Sequence, residues 1–174
     1  MQHIDHECDC IKKTSTENAP YRYVGSGLPN VYLVGVAYES CSACGMQSAE
    51  IPALNELLAA IARVLFNKEA PITGEELRFL RKRMRIPANQ FAAVLGFTDS
   101  HYSKFENGKA PIPGSIDKLV RLIYASLVRD PQLTSSQAES VSLAMPWSAA
   151  FDNKECIIAS RDENEHWRVV KKAA

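Results

Sequence analysis

The chain has 174 residues, with 20 Lys and Arg against 20 Asp and Glu, so its formal charge is zero with histidine neutral. Hydrophobic residues make up 46% and charged residues 23%, ordinary for a globular protein, and no stretch approaches the ~20 apolar residues that span a bilayer. The first residues have no basic start followed by an apolar run, which argues against a secretory leader and makes the cytoplasm the expected compartment.

Zero net charge, taken alone, argues against a nucleic-acid binder, but the charge is unevenly spread. Residues 1–72 hold five basic and eight acidic side chains, residues 73–130 ten and six, and residues 131–174 five and six, for nets of −3, +4 and −1. A phosphate backbone responds to local basic charge, because binding releases counterions locally. The middle of the chain is therefore the place to look for nucleic-acid contact.

Residues 1–20 are polar and carry His3, His6, Cys8 and Cys10. Tyr21–Val24 and Val31–Tyr38 read as two strands around the turn at 25–30, and the second runs into Cys41-Ser-Ala-Cys44-Gly45. An odd number of cysteines in a chain without a leader does not suggest a disulfide framework. The two close pairs suggest a structural Zn2+ site with Cys8, Cys10, Cys41 and Cys44 as ligands and His6 as an alternative to Cys8. Two short strands bury too little apolar surface to stand alone, and a metal would supply the missing stability. A redox role for Cys41 and Cys44 would need a thioredoxin-like context, which is missing.

Pro52 opens a helix with an apolar stripe at Leu54, Leu57, Leu58, Ile61, Leu65 and Phe66, and a joint follows near residues 68–72. Thr73-Gly-Glu-Glu76 fits a capping box, with Leu77, Leu80 and Met84 facing inward and five cations around them. Pro87 starts the next helix, with Phe91, Ala92 and Leu95 apolar and Gly96 as its stop. Thr98 or Asp99 caps a third, through Tyr102 and Phe105 to Asn107-Gly108. Pro113 precedes a fourth, with Ile116, Leu119, Val120, Leu122, Ile123 and Leu127 apolar. Beyond residue 131, Ser135–Leu143 is a candidate helix, and Glu155–Ala159 and His166–Val170 are candidate strands. That hairpin would cover an apolar patch or serve a dimer, whose interface would use the last helices or the strands around Ile157 and Val169.

Two short helices joined by Leu95-Gly96-Phe97-Thr98 predict a helix-turn-helix whose second helix offers its polar face to the major groove. Ser100, His101 and Lys104 on that face are the candidate base contacts. Arg81, Lys82, Arg85, Gln90, Asn107 and Lys109 are the candidate phosphate contacts, with Lys118 and Asn89 beside them. Nothing at sequence level arranges a nucleophile, a base or a phosphate-binding loop, so no catalytic residues are expected and the chain is not read as an enzyme.

The stretches GEELRFLRKRM, FAAVLGF and YSKFENGKAPIP resemble the Xre/Cro helix-turn-helix superfamily over residues 73–127. With the preceding VYLVGVAYESCSACG and its helix, the chain resembles the MqsA-type antitoxins, which carry an N-terminal YgiT-type zinc-binding domain. It departs from them in having Cys-Asp-Cys where the family has CxxC, and Pro87-Ala88 where Xre domains often have Ser-Gln. The resemblance implies a homodimeric autorepressor on a double-stranded, palindromic DNA operator, with the zinc domain engaging a cognate toxin and no membrane partner. The alternative is an interaction module that mainly sequesters a toxin, with DNA binding secondary. The expected fold is mainly α. It has a cysteine-rich module with a bridging helix at 1–67, a bundle of four to five helices at 68–130, and an extension at 131–174 ending in a β-hairpin.

Overall fold

The computed structural model describes residues 12–14, 20–41, 44–128, 133 and 155–173. These form seven strands and five helices: β1 (Lys12–Thr14), β2 (Tyr21–Arg22), β3 (Val31–Val34), β4 (Tyr38–Cys41), β5 (Gln47–Ala49), α1 (Leu54–Phe66), α2 (Gly74–Arg83), α3 (Ala88–Val94), α4 (Asp99–Glu106), α5 (Gly114–Val128), β6 (Glu155–Arg161) and β7 (Trp167–Ala173). His6, Cys8, Cys10 and the candidate helix Ser135–Leu143 lie outside the described residues.

The expectation of a mainly α protein is corrected by the strands. They build two sheets, one of order β1-β4-β5 and one of order β2-β3-β6-β7, and the described fold is α+β. The tail hairpin is longer than its apolar pattern suggested and is not a free-standing appendage. β6 runs parallel to β3, Val31 opposite Ile157 and Leu33 opposite Ala159, while β7 pairs antiparallel with β6. The single strand expected over Val31–Tyr38 is in fact two. Gly35, at φ 75°, takes a left-handed turn that a side chain would resist, and it passes the chain from one sheet to the other.

Alternation sets the buried face of the mixed sheet. Val31, Leu33, Ile157, Ala159 and Trp167 point to one side and are buried, and α1 packs there with Leu57, Ala60 and Ile61. Ile157, proposed from sequence as a dimer contact, belongs to this core. The same apolar cluster continues through Phe66 and Ile72 into α2–α5, where Leu77, Leu80, Phe91, Tyr102, Phe105, Val120 and Tyr124 are buried.

The joint between α1 and α2 is held by charge. Lys68 is buried and donates to both carboxylate oxygens of Glu76 at 2.9 and 3.0 Å. Arg121, wholly buried on α5, donates to Asp117 and to the carbonyls of Phe66, Lys68 and Ala70. The inward face of α5 is thus Asp117, Val120, Arg121 and Tyr124. Leu119, Leu122 and Leu127, expected inside, are exposed. No helix among the described residues is long and apolar enough to cross a membrane.

Candidate nucleic-acid interface

Four residues, Leu95 to Thr98, join α3 and α4, and α4 packs against α2 and α3. Thr98 caps α4, its hydroxyl accepting from the His101 amide at 3.3 Å. Thr73 caps α2 in a complete capping box: its hydroxyl accepts from the Glu76 amide, and the Glu76 carboxylate accepts from the Thr73 amide at 2.8 Å. Gly74 follows because nothing larger fits. A Cβ there would overlap Phe105 O and lie 2.8 Å from Glu106 O, both backbone atoms at the end of α4. The missing side chain lets the start of α2 touch the end of α4.

The inner face of α4 is Tyr102, Phe105 and Glu106, all buried. Tyr102 meets Phe91 edge-on at 5.9 Å, and Phe105 meets Phe97 at 5.1 Å. Glu106 is a buried carboxylate with a full set of donors. Arg81 donates from Nε at 2.6 Å and from Nη2 at 3.2 Å, Arg78 Nε donates at 3.2 Å, and the Tyr102 hydroxyl at 2.8 Å. Burial pushes the Glu106 carboxyl up, but these hydrogen bonds outweigh it and hold the group below its ordinary 4.5. Burial, then the Glu106 carboxylate, pushes the Tyr102 phenol well above its ordinary range.

This places the sequence-predicted residues in two sets. Arg81 is buried, and its remaining nitrogen donates to Ile86 O at 2.9 Å, so it anchors α4 to α2 and is not presented to a phosphate. Asn107 is exposed but engaged: its amide donates to Ser103 O at 2.8 Å, and its Oδ1 accepts from Arg78 at 2.7 Å. Arg78 also donates to Glu106 O, so it satisfies a carbonyl at the negative end of α4. Ser100, His101 and Lys104 are all exposed, as is Ser103, and together they make the outer face of α4. The His101 ring leans on Phe97 and Phe105 at 5.0 and 4.9 Å, which fixes its direction while leaving it in solvent.

Lys82, Arg85, Gln90 and Lys109 are exposed on the segments around α4, and Lys118 is half-buried on α5. Arg85 closes α2 in the left-handed region, at φ 59°. Lys109 sits where the chain doubles back on α4, its amide donating to Lys104 O at 2.8 Å. The arrangement is a helix rigid on its inner side, polar on its outer side, and bordered by cations.

The cysteine knuckle lies at the end of β4. Cys41 is buried and Cys44 exposed, the Gly45 amide donates to Cys41 O at 2.9 Å, and the Cys41 amide donates to Met46 O at 2.8 Å. Among the described residues no three His, Cys, Asp or Glu side chains gather into a metal-binding group, so this pair is at most half of a tetrahedral set. β1 pairs with β4 with Lys12 opposite Cys41.

Sequence reasoning missed Gly74, Arg78 and Arg121. The signals were present: a glycine at the first position of a capped helix, and the i,i+4 pairs Asp117–Arg121 and Tyr102–Glu106. No family model matches the chain, and no solved structure matches it. The chain is similar to the HTH-type transcriptional repressor RghR of Bacillus subtilis (strain 168), with 29% identity over 110 residues, which cover 57% of this chain and 79% of that protein.

Proposed function

We propose that this chain is a sequence-specific DNA-binding transcriptional regulator that reads the major groove with α4. The carrying observation is the division of α4 itself: Tyr102, Phe105 and Glu106 lock one face into the domain, while Ser100, His101 and Lys104 stand in solvent on the other. The likeness to a protein named as a repressor supports it. Lys104 and Ser100 read base edges; Lys82, Arg85 and Lys109 neutralise phosphates. A single helix-turn-helix covers little DNA, so specificity calls for two copies on a palindrome. Following the resemblance to MqsA-type antitoxins, the regulator is a dimeric autorepressor with a cognate toxin as its second partner.

Binding to the chain's own upstream DNA tests this. Lys104→Ala and Ser100→Ala should each weaken specific binding by about 1–3 kcal/mol and leave nonspecific binding nearly unchanged. Lys82→Ala should weaken all sequences alike and reduce the slope of log K against log salt by about one unit. If both α4 variants bind like wild type, the assigned face is wrong.

The same reading includes a structural zinc at the cysteine knuckle. Its support is the thiol chemistry of Cys41 and Cys44 and the β1–β4 ladder, which brings the chain just after Cys10 opposite Cys41. Cys8 and Cys10, or His6 in place of Cys8, would complete the set. A closed thiolate site would supply folding stability and no chemistry. Elemental analysis should find about one zinc per chain, lost in Cys41→Ser or Cys44→Ser. Metal-free wild type that melts at the same temperature as the purified protein would remove zinc from the account.

A further inference from the structure

Ser100, Ser103, Lys104 and Asn107 fall on one line of α4 and its cap, opposite the buried Tyr102, Phe105 and Glu106, and all four are exposed. Ser100 and Lys104 are the base readers assigned to α4. Ser103 stands between them on the same line, and it differs from Ser100 in being held.

Asn107 Nδ2 lies 2.8 Å from Ser103 O and 3.1 Å from Ser103 Oγ, and Asn107 Oδ1 lies 2.7 Å from Arg78 Nη2. A guanidinium only donates, so the amide atom facing it is the oxygen and the one facing Ser103 is the nitrogen. An amide nitrogen also only donates, so Ser103 Oγ accepts there and cannot turn its own proton that way. Among the described residues that proton has no acceptor, and the hydroxyl stands in solvent on the outer line of the helix. Arg78 is fixed in turn by Glu106, donating to its carboxylate and to its carbonyl at 3.2 Å each. The bonds therefore run one way, from cation to amide to hydroxyl and outward. Hydrogen bonds in a chain polarise one another, so a chain begun by a cation strengthens its last donor.

A helix laid in the major groove turns its outermost line to the base edges. The acceptors on those edges are guanine O6 and N7, adenine N7 and thymine O4, whereas cytosine presents its N4 amino group, a donor. A hydroxyl that donates matches the acceptors and not cytosine.

We propose that Ser103 is a third base-reading residue of α4, its hydroxyl donating to a purine or thymine acceptor, with Arg78 and Asn107 as the positioning residues that aim it. This rests on the reading of α4 as the DNA-facing helix, and adds to it a residue and a base preference.

The test begins with duplexes that the full chain selects from a randomised library. Ser103→Ala should bind the selected duplex about three- to tenfold more weakly, bind an unrelated duplex like wild type, and lose the exclusion of cytosine at a single base position. Ser103→Thr, which keeps the hydroxyl, should recover most of the loss. Thermal melts should stay close to wild type, since the side chain is exposed.

Asn107→Asp tests the aiming. A carboxylate still accepts from Arg78 but cannot donate, so Ser103 would turn its proton inward to it. The added charge repels DNA whether or not Ser103 is present. Asn107→Asp should therefore cost about three- to tenfold less in a Ser103→Ala background than in wild type. Equal factors in the two backgrounds overturn the proposal, as does Ser103→Ala binding like wild type, or a loss shared equally by unrelated duplexes, which marks a phosphate contact. Lys104→Ala and Ser100→Ala separate this failure from that of α4 itself. If they weaken the selected duplex and Ser103→Ala does not, only the role of Ser103 falls; if none of the three does, α4 is not the reading helix.

Discussion

Glu106→Ala should lower the unfolding free energy by about 3–5 kcal/mol, because it leaves the buried Arg81 guanidinium without its carboxylate. Urea denaturation measures this directly, and Glu75→Ala, exposed in the same domain, serves as the control expected within about 0.5 kcal/mol of wild type. Glu106→Gln keeps the shape but removes the charge that answers two arginines, so it should recover only part of the loss. The pH dependence has a definite sign. The carboxyl is held below 4.5 in the fold, so its contribution is present above that pH and is lost as pH falls through 4.5 and below. Tyr102 acts at the other end: its phenol is raised above 10.0, so the neutral form's contribution is complete below that pH and disappears as pH rises beyond it. Wild type should therefore lose stability on both sides of a neutral plateau, and Glu106→Ala should flatten the acid limb. Specific DNA binding should fall with it, because Glu106 ties α4 to α2. A Glu106→Ala protein as stable as wild type would mean that the network is incidental.

Arg121→Ala should cost a similar amount, about 3–5 kcal/mol, for a related reason. It strips the partner from Asp117, itself wholly buried, and leaves the carbonyls of Phe66, Lys68 and Ala70 without their donor. Arg121→Lys should rescue little, since an ammonium cannot reach a carboxylate and three separate carbonyls as the planar guanidinium does. Replacing both charges, Arg121→Met with Asp117→Leu, should be less damaging than the sum of the single changes, because no buried charge is then stranded. Amide exchange should quicken at residues 66–70 in Arg121→Ala before other parts of the fold respond. If the double replacement is as damaging as the sum, the cost lies in lost packing and not in the stranded charge.

The helix-turn-helix was legible because its signals are local. A capping box, a glycine stop and apolar residues three and four apart are written within a few turns of helix, and they placed α2, α3 and α4 and the outer face of α4. The misreadings came from counting hydropathy without asking who answers a charge. On α2, Arg81 lies four residues after Leu77 and so shares its inward face, yet a cation in a basic helix reads as solvated until Glu106 is found beside it. On α5 the same habit drew the inward face too wide: Val120 is buried and Ile116 and Ile123 pack against the core, but the three leucines expected beside them do not. Asp117 and Arg121 satisfy each other inside, and that sends Leu119, Leu122 and Leu127 outward. The sheet was legible strand by strand but not as a sheet. Nothing near Val31 announces that its neighbour is Ile157, because parallel pairing joins segments that share no turn. Gly35 was visible, but not its power to divide one apolar run between two sheets.

That parallel pairing has a consequence for how the molecule comes into being. β3 is made early and β6 late, with all of α2–α5 between them. A ribosome working from the first residue exposes β3 as an open edge, and that edge stays open until the last hairpin emerges. The helical domain, built from contacts close in sequence, can collapse during this interval; the sheet cannot. The newborn chain is therefore briefly a folded helical unit attached to an unfinished edge strand, and strand edges in that condition invite wrong partners. In the finished fold the chain returns, after the helices, to lie beside the strand it left before them.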